Sequence, residues 1–377
     1  MRFKVLHLID SLEFGGAQTV VKNIFENQSH NDLFLLALRT TRPHIAITHS
    51  NVIIYQSQAK YSFLPLFTIK EIIQRENITL LHCHLFRSQV FGFLLKILFF
   101  PKLKLIFHEH GQILGPDNQS WLENKIFRYF LKLTRSKVNL FIAVSNTISN
   151  MLIAKGKIHV DKIITLYNPI KLNLKNHLVS EEDEKQLKRL NEVTENRFIV
   201  GFAGRLVSIK GVDLYLNAAR ILLEKYDNII FVIAGDGPEK IRILSLINQI
   251  NHQAEKIFFL GYIQDIAPFY SKLDCLVVPS TKEAMGLVVI EAQVMGIPVI
   301  ASNLEVFKEL IIDEHNGILF DSQNSYNLAS KIELLYDNKK LGNNIIKNAQ
   351  LSAQQFDIAK YLLRLELIYL QLMENVK

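Results

Sequence analysis

Short apolar runs alternate with helical patterns along the whole chain, and this alternation limits the possible folds more than any other feature. Thirteen runs have the length and composition of buried strands. They lie at residues 4–8, 33–38, 52–55, 80–83, 105–107, 140–144 and 163–166, and then at 198–203, 229–234, 257–260, 275–278, 298–301 and 317–320. Strands that alternate with helices form parallel sheets, because each crossover between parallel strands needs a long connection. The sequence therefore predicts an α/β protein built from doubly wound, Rossmann-like domains.

The length and one polar segment indicate where the chain divides. At 377 residues it exceeds one ordinary hydrophobic core. Residues 171–196 form a polar, strand-free stretch with a charged run at 180–189, and we place the domain boundary there. Such a charge run is also typical of a solvated helix without a functional role. We expect domains at 1–180 and 181–357, with the ligand site in the cleft where they face each other.

The two halves differ in charge. Residues 1–180 carry 22 Lys and Arg against 10 Asp and Glu, a formal charge of +12, whereas the remainder is at −5. A basic domain indicates an anionic partner, and we expect anionic lipid rather than nucleic acid. In residues 121–137 the apolar and basic residues are interleaved, as in an interfacial amphipathic helix: Ile126, Phe127, Phe130 and Leu131 with Lys125, Arg128, Lys132, Arg135 and Lys137. An ordinary surface helix is the alternative.

Cysteine usage and apolar segments indicate the compartment. Cys83 and Cys275 lie in apolar runs, so we expect both to be buried and reduced. The apolar stretch at residues 1–10 is too short for a signal peptide, and the longest apolar segment, 90–100, is too short to span a bilayer. We therefore expect a cytoplasmic protein, peripheral at the inner face of the plasma membrane.

Glu283 and Glu291 stand eight residues apart around a predicted strand–loop–helix unit. The helix should begin near residue 285 or 286 and end at Gly296. Glu283 would then lie in the loop and Glu291 about two turns into the helix. Ligands bind at this edge of an open parallel sheet, where helix amides attract phosphate and carboxylates accept hydrogen bonds from hydroxyls. The pattern predicts a site for a sugar nucleotide.

A second candidate for phosphate binding follows the strand at 198–203. Gly204 allows a close approach of the backbone, and Arg205 and Lys210 can both reach toward a diphosphate. Two cations stabilise a leaving group that gains negative charge, although Arg205 alone could be a surface ion-pair partner. The later turn at 235–238 also follows a strand, but it lacks the G-x-G-x-x-G spacing of a dinucleotide fingerprint.

In the first half, Gly15 and Gly16 follow the first strand directly and precede a helix at 17–27. A glycine pair in this place can bring backbone amides close to a phosphate or a sugar. A purely structural tight turn is an equally good interpretation.

Four histidines cluster near the ends of two predicted strands: His82, His84, His108 and His110. Alternate positions of a strand face the same side, so a metal site is one interpretation. No second motif supplies the cysteines or carboxylates expected of a zinc site. The other interpretation is that His110 hydrogen-bonds a substrate hydroxyl, while one or more of the others are core histidines with satisfied hydrogen bonds.

Taken in order, the motifs resemble those of the GT4 glycosyltransferases of the GT-B fold, over nearly the whole chain. The set is Gly15-Gly16, His84, His110-Gly111, Ser145, Asn168-Pro169, Gly204-Arg205-x4-Lys210-Gly211, Gly235-Asp236-Gly237-Pro238, Gly261-Tyr262, Glu283-x7-Glu291, Gly296-Ile297-Pro298 and Asn316-Gly317. The pairs Glu-x7-Glu and GR-x4-K are its most specific members.

The resemblance implies a retaining glycosyltransferase of the hexosyltransferase type that needs no metal and no cofactor. Its donor would be a nucleotide-sugar, with UDP the default and GDP the main alternative. A lipid-linked or membrane-proximal glycan would be the acceptor, in the biosynthesis of a surface polysaccharide or lipopolysaccharide. It also implies that a C-terminal helix, within 358–377, crosses back to the first domain.

The resemblance assigns roles in the donor site. Arg205 and Lys210 would clamp the diphosphate, Glu291 would accept the ribose hydroxyls, and Glu283 would contact the C3 and C4 hydroxyls of the transferred sugar. Gly286 and Leu287 would offer backbone amides.

In the first domain, Gly15 and Gly16 would let the loop approach the diphosphate, and His110 would bind the sugar at its C6 hydroxyl. Ala284 and Met285 depart from the family pattern of Gly or Pro with an aromatic residue, which leaves the choice of sugar open. Two rival functions remain at this point: a sugar-nucleotide epimerase of the same shape, and a non-catalytic sugar-nucleotide-binding subunit.

Overall fold

The computed structural model describes residues 3–13, 15–28, 32–39, 45–55, 62–111, 121–172, 184, 187–188, 196–251 and 255–374. Phe14 and most of the charged run at 180–189 lie outside this part of the chain. The chain forms two compact units. The first unit comprises Met1–Ile170 and Phe356–Lys377, and the second comprises Lys171–Gln355.

The first unit is a parallel sheet of seven strands in the order β3-β2-β1-β4-β5-β6-β7. Its strands are β1 (Val5–Ile9), β2 (Leu33–Ala37), β3 (Val52–Ile54), β4 (Leu80–His84), β5 (Lys104–Glu109), β6 (Leu140–Ala143) and β7 (Ile163–Thr165). Its first five helices are α1 (Gly16–Asn27), α2 (Pro65–Glu76), α3 (Phe86–Leu98), α4 (Trp121–Thr134) and α5 (Asn146–Ala154), and a short 3-10 turn covers Val160–Lys162.

The direction of each crossover places the helices of the first unit in two layers. The chain moves one way along the sheet through α1 and the opposite way through α2 to α5, so right-handed connections put α1 on one face and the other four on the opposite face. The last helix of the chain, α13 (Ile358–Glu374), packs beside α1 and buries Leu365 and Ile368 against it. It therefore completes the layer that α1 begins.

The second unit is a parallel sheet of six strands in the order β10-β9-β8-β11-β12-β13. Its strands are β8 (Phe198–Ala203), β9 (Ile229–Ala234), β10 (Ile257–Gly261), β11 (Cys275–Val278), β12 (Val299–Ser302) and β13 (Ile318–Phe320). Its helices are α6 (Val212–Leu223), α7 (Lys240–Ile250), α8 (Ala267–Tyr270), α9 (Leu287–Met295), α10 (Glu305–Lys308), α11 (Ser325–Asp337) and α12 (Lys339–Ala353), and 3-10 turns cover Ser208–Lys210 and Gln354–Phe356.

Both sheets confirm the predicted α/β class with two doubly wound, Rossmann-like domains. Every predicted strand is present, with ends that differ by at most two residues from those expected. In each sheet the strand order reverses after the first strand, which creates a switch point between β1 and β4 and another between β8 and β11. Cys83 and Cys275 are both buried and free. Among the described residues, the helices are all too short or too polar to cross a membrane.

Candidate active site

The loops that follow β8 and β11 pack backbone against backbone at the switch point of the second sheet. Gly211 has φ +71°, and a Cβ placed there would lie 2.0 Å from the carbonyl oxygen of Pro279. Beside this contact, the Thr281 amide donates to the Ile209 carbonyl at 2.8 Å. Only glycine allows this close approach. The contact fixes the position of the β8 loop, which carries Arg205, relative to the β11 loop.

These two loops bring an ion pair and a separate cation to the same sheet edge. The Lys210 ammonium donates to the Glu283 carboxylate, and the two side chains are only 25% and 15% exposed. The Ala284 amide donates to the other Glu283 oxygen at 3.2 Å. Arg205 is exposed, and no side chain of the described residues pairs with its guanidinium. The site therefore holds one neutralised cation and one that is available to an anion.

Helix α9 begins at the same edge. Gly286 caps it in the left-handed conformation with φ +89°, and Leu287 is its first residue, close to the start that the sequence predicts. The amides in the first turn of a helix have no partner inside the helix. No side chain caps this one, and the Val289 amide donates to the Gly286 carbonyl at 3.0 Å, so the Leu287 and Val288 amides are available to an anionic group.

Glu291 lies in α9, but not where the sequence placed it. It is the fifth residue of the helix, just over one turn from the start, rather than two turns in, because the helix begins at Leu287 and not at residue 285 or 286. Tyr270, at the end of α8, donates its hydroxyl to the Glu291 carboxylate at 2.9 Å. Burial raises the pKa of Glu291, and the hydrogen bond from Tyr270 opposes that rise. No motif in the sequence indicated Tyr270.

The turn at 235–238 supports the β8 loop from the other side. A Cβ at Gly235 would lie 1.9 Å from the Gly204 carbonyl oxygen, and one at Gly237 would lie 2.5 Å from the Leu206 carbonyl oxygen. The Leu206 amide donates to the Asp236 carbonyl at 2.9 Å. These glycines allow two loops to pack backbone against backbone, which explains their presence without a dinucleotide.

In the first unit, Gly15 and Gly16 open α1 after the loop that follows the carboxyl end of β1. Gly15 has an extended backbone with φ 174°, so a strained turn does not explain the glycine. The Gly15 carbonyl accepts a hydrogen bond from the Thr19 amide at 3.0 Å, as the first intrahelical bond. The pair therefore forms a helix N-terminus without side chains at the edge of the first sheet.

The histidines of the first unit form a hydrogen-bonded network on the face of the sheet that α1 and α13 cover. His7 in β1, His82 and His84 in β4, and His108 in β5 are fully buried. His110 follows β5 and is half-buried. The network connects all five rings through the Tyr369 hydroxyl of α13.

Burial makes these imidazoles neutral. It lowers the pKa of His7 and of His110 to about 3. It also lowers the pKa of His82, His84 and His108 well below the ordinary value, and the neighbouring imidazoles lower it further. A charged ring would lose its hydration without gaining a counterion. The expectation that some of these histidines are core residues with hydrogen bonds agrees with this arrangement.

Two trios of these rings bring nitrogens close enough to be considered for a metal ion. In His7, His82 and His84, and again in His84, His108 and His110, one nitrogen from each ring lies within 4.8 Å of the others. Both trios consist of imidazoles alone, and hydrogen bonds join members of each. The sequence singled out four of these histidines but missed His7, a polar residue in an apolar strand, and Tyr369.

The structure thus places the predicted site residues in two groups. Seven lie around the β8–β11 switch point of the second unit: Gly204, Arg205, Lys210, Glu283, Gly286, Leu287 and Glu291. The other three, Gly15, Gly16 and His110, lie at the carboxyl edge of the first sheet. The group of seven residues in the second unit combines cations, helix amides and carboxylates that can accept hydrogen bonds from hydroxyls.

Comparisons with known proteins agree on the class of protein. The family model described as Glycosyltransferase Family 4 matches residues 14–174, and the model described as Glycosyl transferases group 1 matches residues 183–352. The N-acetyl-alpha-D-glucosaminyl L-malate synthase of Bacillus anthracis is 26% identical over 312 residues, 81% of this chain and 78% of that protein. The O-antigen biosynthesis glycosyltransferase WclY of Escherichia coli is 30% identical over 166 residues, 43% of this chain and 45% of that protein.

A solved structure shows the same fold. The crystal structure of Anabaena HepE, in complex with UDP and glucose, superposes with a TM-score of 0.81 at 22% identity. The match covers 98% of this chain and 100% of that chain.

Proposed function

The chain belongs to the GT4-type glycosyltransferases of the GT-B fold, and from this premise we propose that it transfers a sugar from a UDP-sugar, with retention of configuration, to a lipid-linked or membrane-proximal glycan. The resemblance inferred from the motifs is confirmed, and so is the prediction of a transferase. The two rival functions, an epimerase and a binding subunit, have no comparable support.

One observation carries the donor site. Arg205, Lys210, Glu283 and the first turn of α9 all lie at the switch point between β8 and β11. Crevices at such points are where open α/β sheets bind their ligands. In the absence of donor, Glu283 neutralises Lys210, so Arg205 provides the net positive charge for the diphosphate. On binding, the Lys210 ammonium turns to the phosphate, and the Glu283 carboxylate accepts hydrogen bonds from the sugar hydroxyls instead.

Glu291 supports the other end of the donor. Its carboxylate receives a hydrogen bond from Tyr270 on one oxygen, and no other described residue hydrogen-bonds it. The second oxygen can therefore accept from the ribose hydroxyls. UDP is the nucleotide we propose because HepE, which has the same fold, was crystallised with UDP and glucose.

The reaction we propose is a front-face displacement. The bond between the anomeric carbon and the phosphate oxygen breaks while the acceptor hydroxyl bonds to the same face of that carbon. The departing phosphate oxygen takes the hydroxyl proton, so no side-chain base is needed. Arg205, Lys210 and the α9 amides stabilise the charge that accumulates on the diphosphate, and positioning supplies much of the remaining acceleration.

The acceptor proposal is supported by an exposed surface of the first unit, which we call the α2–α4 face. Its exposed apolar side chains are Phe63, Leu64, Phe67, Ile97, Leu98, Phe99, Ile126, Tyr129 and Leu133. The three helices adjoin, since Phe86 of α3 contacts Phe130 of α4 and the Lys70 ammonium of α2 lies 4.6 Å from the Phe99 ring centre. Aromatic and aliphatic side chains of this number are unusual on a water-exposed surface.

Basic residues alternate with these apolar ones on α4. Lys125, Arg128 and Lys132 are exposed beside Ile126 and Tyr129, while Phe127 and Leu131 are buried against the sheet. Apolar side chains with interleaved cations are typical of a helix that lies on anionic lipid. A membrane-bound acceptor would meet the enzyme at this surface.

The relatives support a glycan as the product, with one alternative. WclY is named for O-antigen biosynthesis, which agrees with a surface polysaccharide or lipopolysaccharide. The Bacillus anthracis relative is named an N-acetyl-alpha-D-glucosaminyl L-malate synthase, so a small soluble acceptor such as L-malate is the second candidate.

A nucleotide-release assay tests the reaction. The protein is incubated with a panel of UDP- and GDP-sugars, with extracted membrane lipid or with L-malate as acceptor, and the anomeric configuration of the product is determined by NMR. We expect release from a UDP-sugar only when lipid is present, and an α-linked product from an α-configured donor. Release of free sugar without any acceptor would refute the transferase mechanism, and an inverted product would refute retention.

Arg205→Ala tests the diphosphate contact within this assay. We expect kcat/KM to fall by about 10²- to 10³-fold, because a cation is lost where charge accumulates. Arg220→Ala is the matched control, since Arg220 is also exposed but lies in the last turn of α6, toward the opposite edge of the sheet. Near wild-type turnover by Arg205→Ala would refute the proposed clamp.

Vesicle sedimentation tests the α2–α4 face. We expect binding to vesicles with anionic phosphatidylglycerol but not to pure phosphatidylcholine, and a loss of binding in the double variant Tyr129→Ser, Leu133→Ser. The control is Tyr326→Ser in the second unit, where the side chain is 76% exposed, compared with 69% for Tyr129. Equal binding by the double variant and the control would exclude this surface.

A further inference from the structure

The first sheet also carries basic side chains at its switch point. Asp10 directly follows β1, Arg39 lies two residues beyond β2, and Arg87 is the second residue of α3, which follows β4. The carboxyl ends of these three neighbouring strands are level in the parallel register. The three side chains therefore meet beyond the edge at which open α/β sheets bind their ligands.

One carboxylate serves both arginines. Arg39 Nε donates to Asp10 Oδ2 at 3.1 Å, and Arg87 Nη1 donates to Asp10 Oδ1 at 3.1 Å. All three side chains are largely buried, with 16–17% of their surface exposed. Two guanidinium groups and one carboxylate give the trio a formal charge of +1. Burying such an excess of charge is costly unless an anion compensates it. We call Asp10, Arg39 and Arg87 the arginine cluster.

A second carboxylate approaches the arginine cluster from the water side. Glu13 Oε1 lies 3.2 Å from Arg39 Nη2, but the Glu13 side chain is 49% exposed. An ion pair of this kind is weak, because water screens it and the side chain loses freedom when it forms. Glu13 can therefore leave Arg39 at little cost when a stronger anion arrives. A phosphate suits this place, since one guanidinium group can donate two parallel hydrogen bonds to it.

The arginine cluster adjoins the α2–α4 face. Arg87 Nη2 donates to the Ser62 carbonyl at 2.7 Å, and the next two residues, Phe63 and Leu64, belong to that face. The guanidinium carbon of Arg87 also lies 5.4 Å from the centre of the Phe91 ring, which packs edge-on against the Phe63 ring. A cationic site thus lies beside an exposed apolar surface. This combination matches a lipid whose hydrocarbon chain lies on the face and whose headgroup is a phosphate.

We propose that Arg39 and Arg87 bind the phosphate of a lipid-linked acceptor, and that Asp10 positions both guanidinium groups for it. This inference rests on the proposed function and names the anionic group by which the acceptor is recognised. In the absence of acceptor, Glu13 pairs with Arg39, as Glu283 pairs with Lys210 at the switch point of the second sheet. A neutral acceptor would leave the charge of the arginine cluster uncompensated, so the enzyme prefers an anionic one.

Calorimetry with the full chain tests the anion site. Saturating UDP is present throughout to occupy the donor site, and each probe stays below its critical micelle concentration. The probes are n-octyl phosphate, octyl β-glucoside, which has the same chain on a neutral headgroup, and inorganic phosphate. We expect octyl phosphate to bind about tenfold more tightly than either of the others, because only it combines charged hydrogen bonds with an apolar contact.

Two results with these probes would overturn the proposal. Equal binding of octyl β-glucoside would exclude recognition of the charge. Binding of inorganic phosphate as tight as that of octyl phosphate would assign the site to free phosphate instead of a lipid headgroup.

Three variants identify the residues. Arg39→Gln should weaken the binding of octyl phosphate about tenfold, because charged hydrogen bonds are lost. Glu13→Gln should instead strengthen it about two- to fivefold, because a weak competing ion pair is removed. Glu76→Gln is the matched control: it removes the same charge at the opposite edge of the same sheet, where Glu76 pairs with Lys4 at 3.8 Å, and it should leave the affinity unchanged.

The variant Glu13→Gln separates anion binding from a purely structural role of the ion pairs. If the arginine cluster only held the three loops together, removing Glu13 would lower the stability or leave it unchanged, and the affinity for octyl phosphate would not rise. Unchanged or weaker binding by Glu13→Gln would therefore overturn the proposal, even if Arg39→Gln failed to fold.

Further measurements distinguish a failure of this proposal from a failure of the proposed function. Octyl phosphate should bind to Arg205→Ala as tightly as to the wild type, because Arg205 belongs to the second unit, and a loss of binding there would place the probe in the donor site. In the nucleotide-release assay, Arg39→Gln should raise the KM for the lipid acceptor about tenfold with the KM for the donor constant. An unchanged acceptor KM would overturn this proposal alone, whereas binding of the anion without any sugar transfer would refute the proposed function.

Discussion

Acidification should unfold the first unit because of its buried histidines. Four rings, those of His7, His82, His84 and His108, are fully buried and remain neutral in the folded protein. In the unfolded chain each would take up a proton near the ordinary histidine pKa of 6.5. The free energy of unfolding should therefore decrease as the pH falls below that value.

The sign and size follow from the linkage between proton binding and stability. The pKa of each buried ring is depressed in the folded protein, so the unfolded chain binds more protons. The contribution of these rings to stability is therefore fully present above pH 6.5. It is lost as the pH falls toward the folded-state pKa, which is about 3 for His7. One pH unit below the unfolded value, each ring destabilises the fold by about 1.4 kcal/mol. The four rings together contribute about 6 kcal/mol, which is comparable with the total stability of many domains, about 5–15 kcal/mol.

Urea denaturation at a series of pH values measures this effect. Loss of amide-exchange protection in β1 and β4, which belong to the first unit, follows the unfolding of that unit. Between about pH 6 and about pH 5, the slope of the unfolding free energy should approach four protons, about 5–6 kcal/mol per pH unit.

Two variants determine whether the buried rings cause the slope. His7→Gln should reduce it by about 1.4 kcal/mol per pH unit, whereas His315→Gln, which changes an exposed histidine of the second unit, should leave it unchanged. A slope of one proton or less in the wild type would contradict the assignment of these rings as neutral.

Three further predictions concern the donor site. Gly211→Ala should destabilise the second unit by about 2–4 kcal/mol in thermal denaturation, since the added methyl group would meet the carbonyl at the end of β11 at 2.0 Å; an unchanged Tm would contradict the close approach. Glu283→Gln should release Lys210 from its ion pair, so calorimetry should show tighter binding of UDP while sugar transfer falls; weaker binding of UDP would refute the exchange of partners. Tyr270→Phe should raise the KM for the donor several-fold with little change in kcat. The increase should be larger at acidic pH, because loss of the hydrogen bond lets the pKa of Glu291 rise further. A KM of the variant that does not depend on pH would argue against this role.

The elements and the donor residues could be predicted because their signals are local. A buried strand and the loop after it occupy fewer than 20 consecutive residues, so the strand before Arg205 and the helix after Gly286 are visible in the sequence. The strand order then brings these loops together, and parallel strands allow few alternatives. The prediction that Glu291 lies two turns into its helix was wrong, because the first residue of a helix after a loop depends on packing.

The partnerships could not be predicted, because they depend on contacts between distant positions. Tyr270 reaches Glu291 only after β11 and the helices on either side of it, α8 and α9, have taken their places. The bond between His82 and Tyr369 joins residues 287 positions apart. No periodicity or spacing records such a contact, and Tyr369 is only one buried residue on an amphipathic helix.

The membership of α13 in the first unit determines the order in which the protein can be completed during synthesis. The second unit is one continuous segment, Lys171–Gln355, so all of its residues are synthesised in a single uninterrupted stretch. The first unit begins earlier, but at that stage it still lacks residues 356–374. The surface of α1 that later packs against Leu365 and Ile368 is therefore uncovered at first. Domains generally fold in the order of their synthesis, yet here the N-terminal unit is completed only after the second unit. A premature stop codon just before Phe356 would therefore leave a complete second unit attached to a first unit without α13.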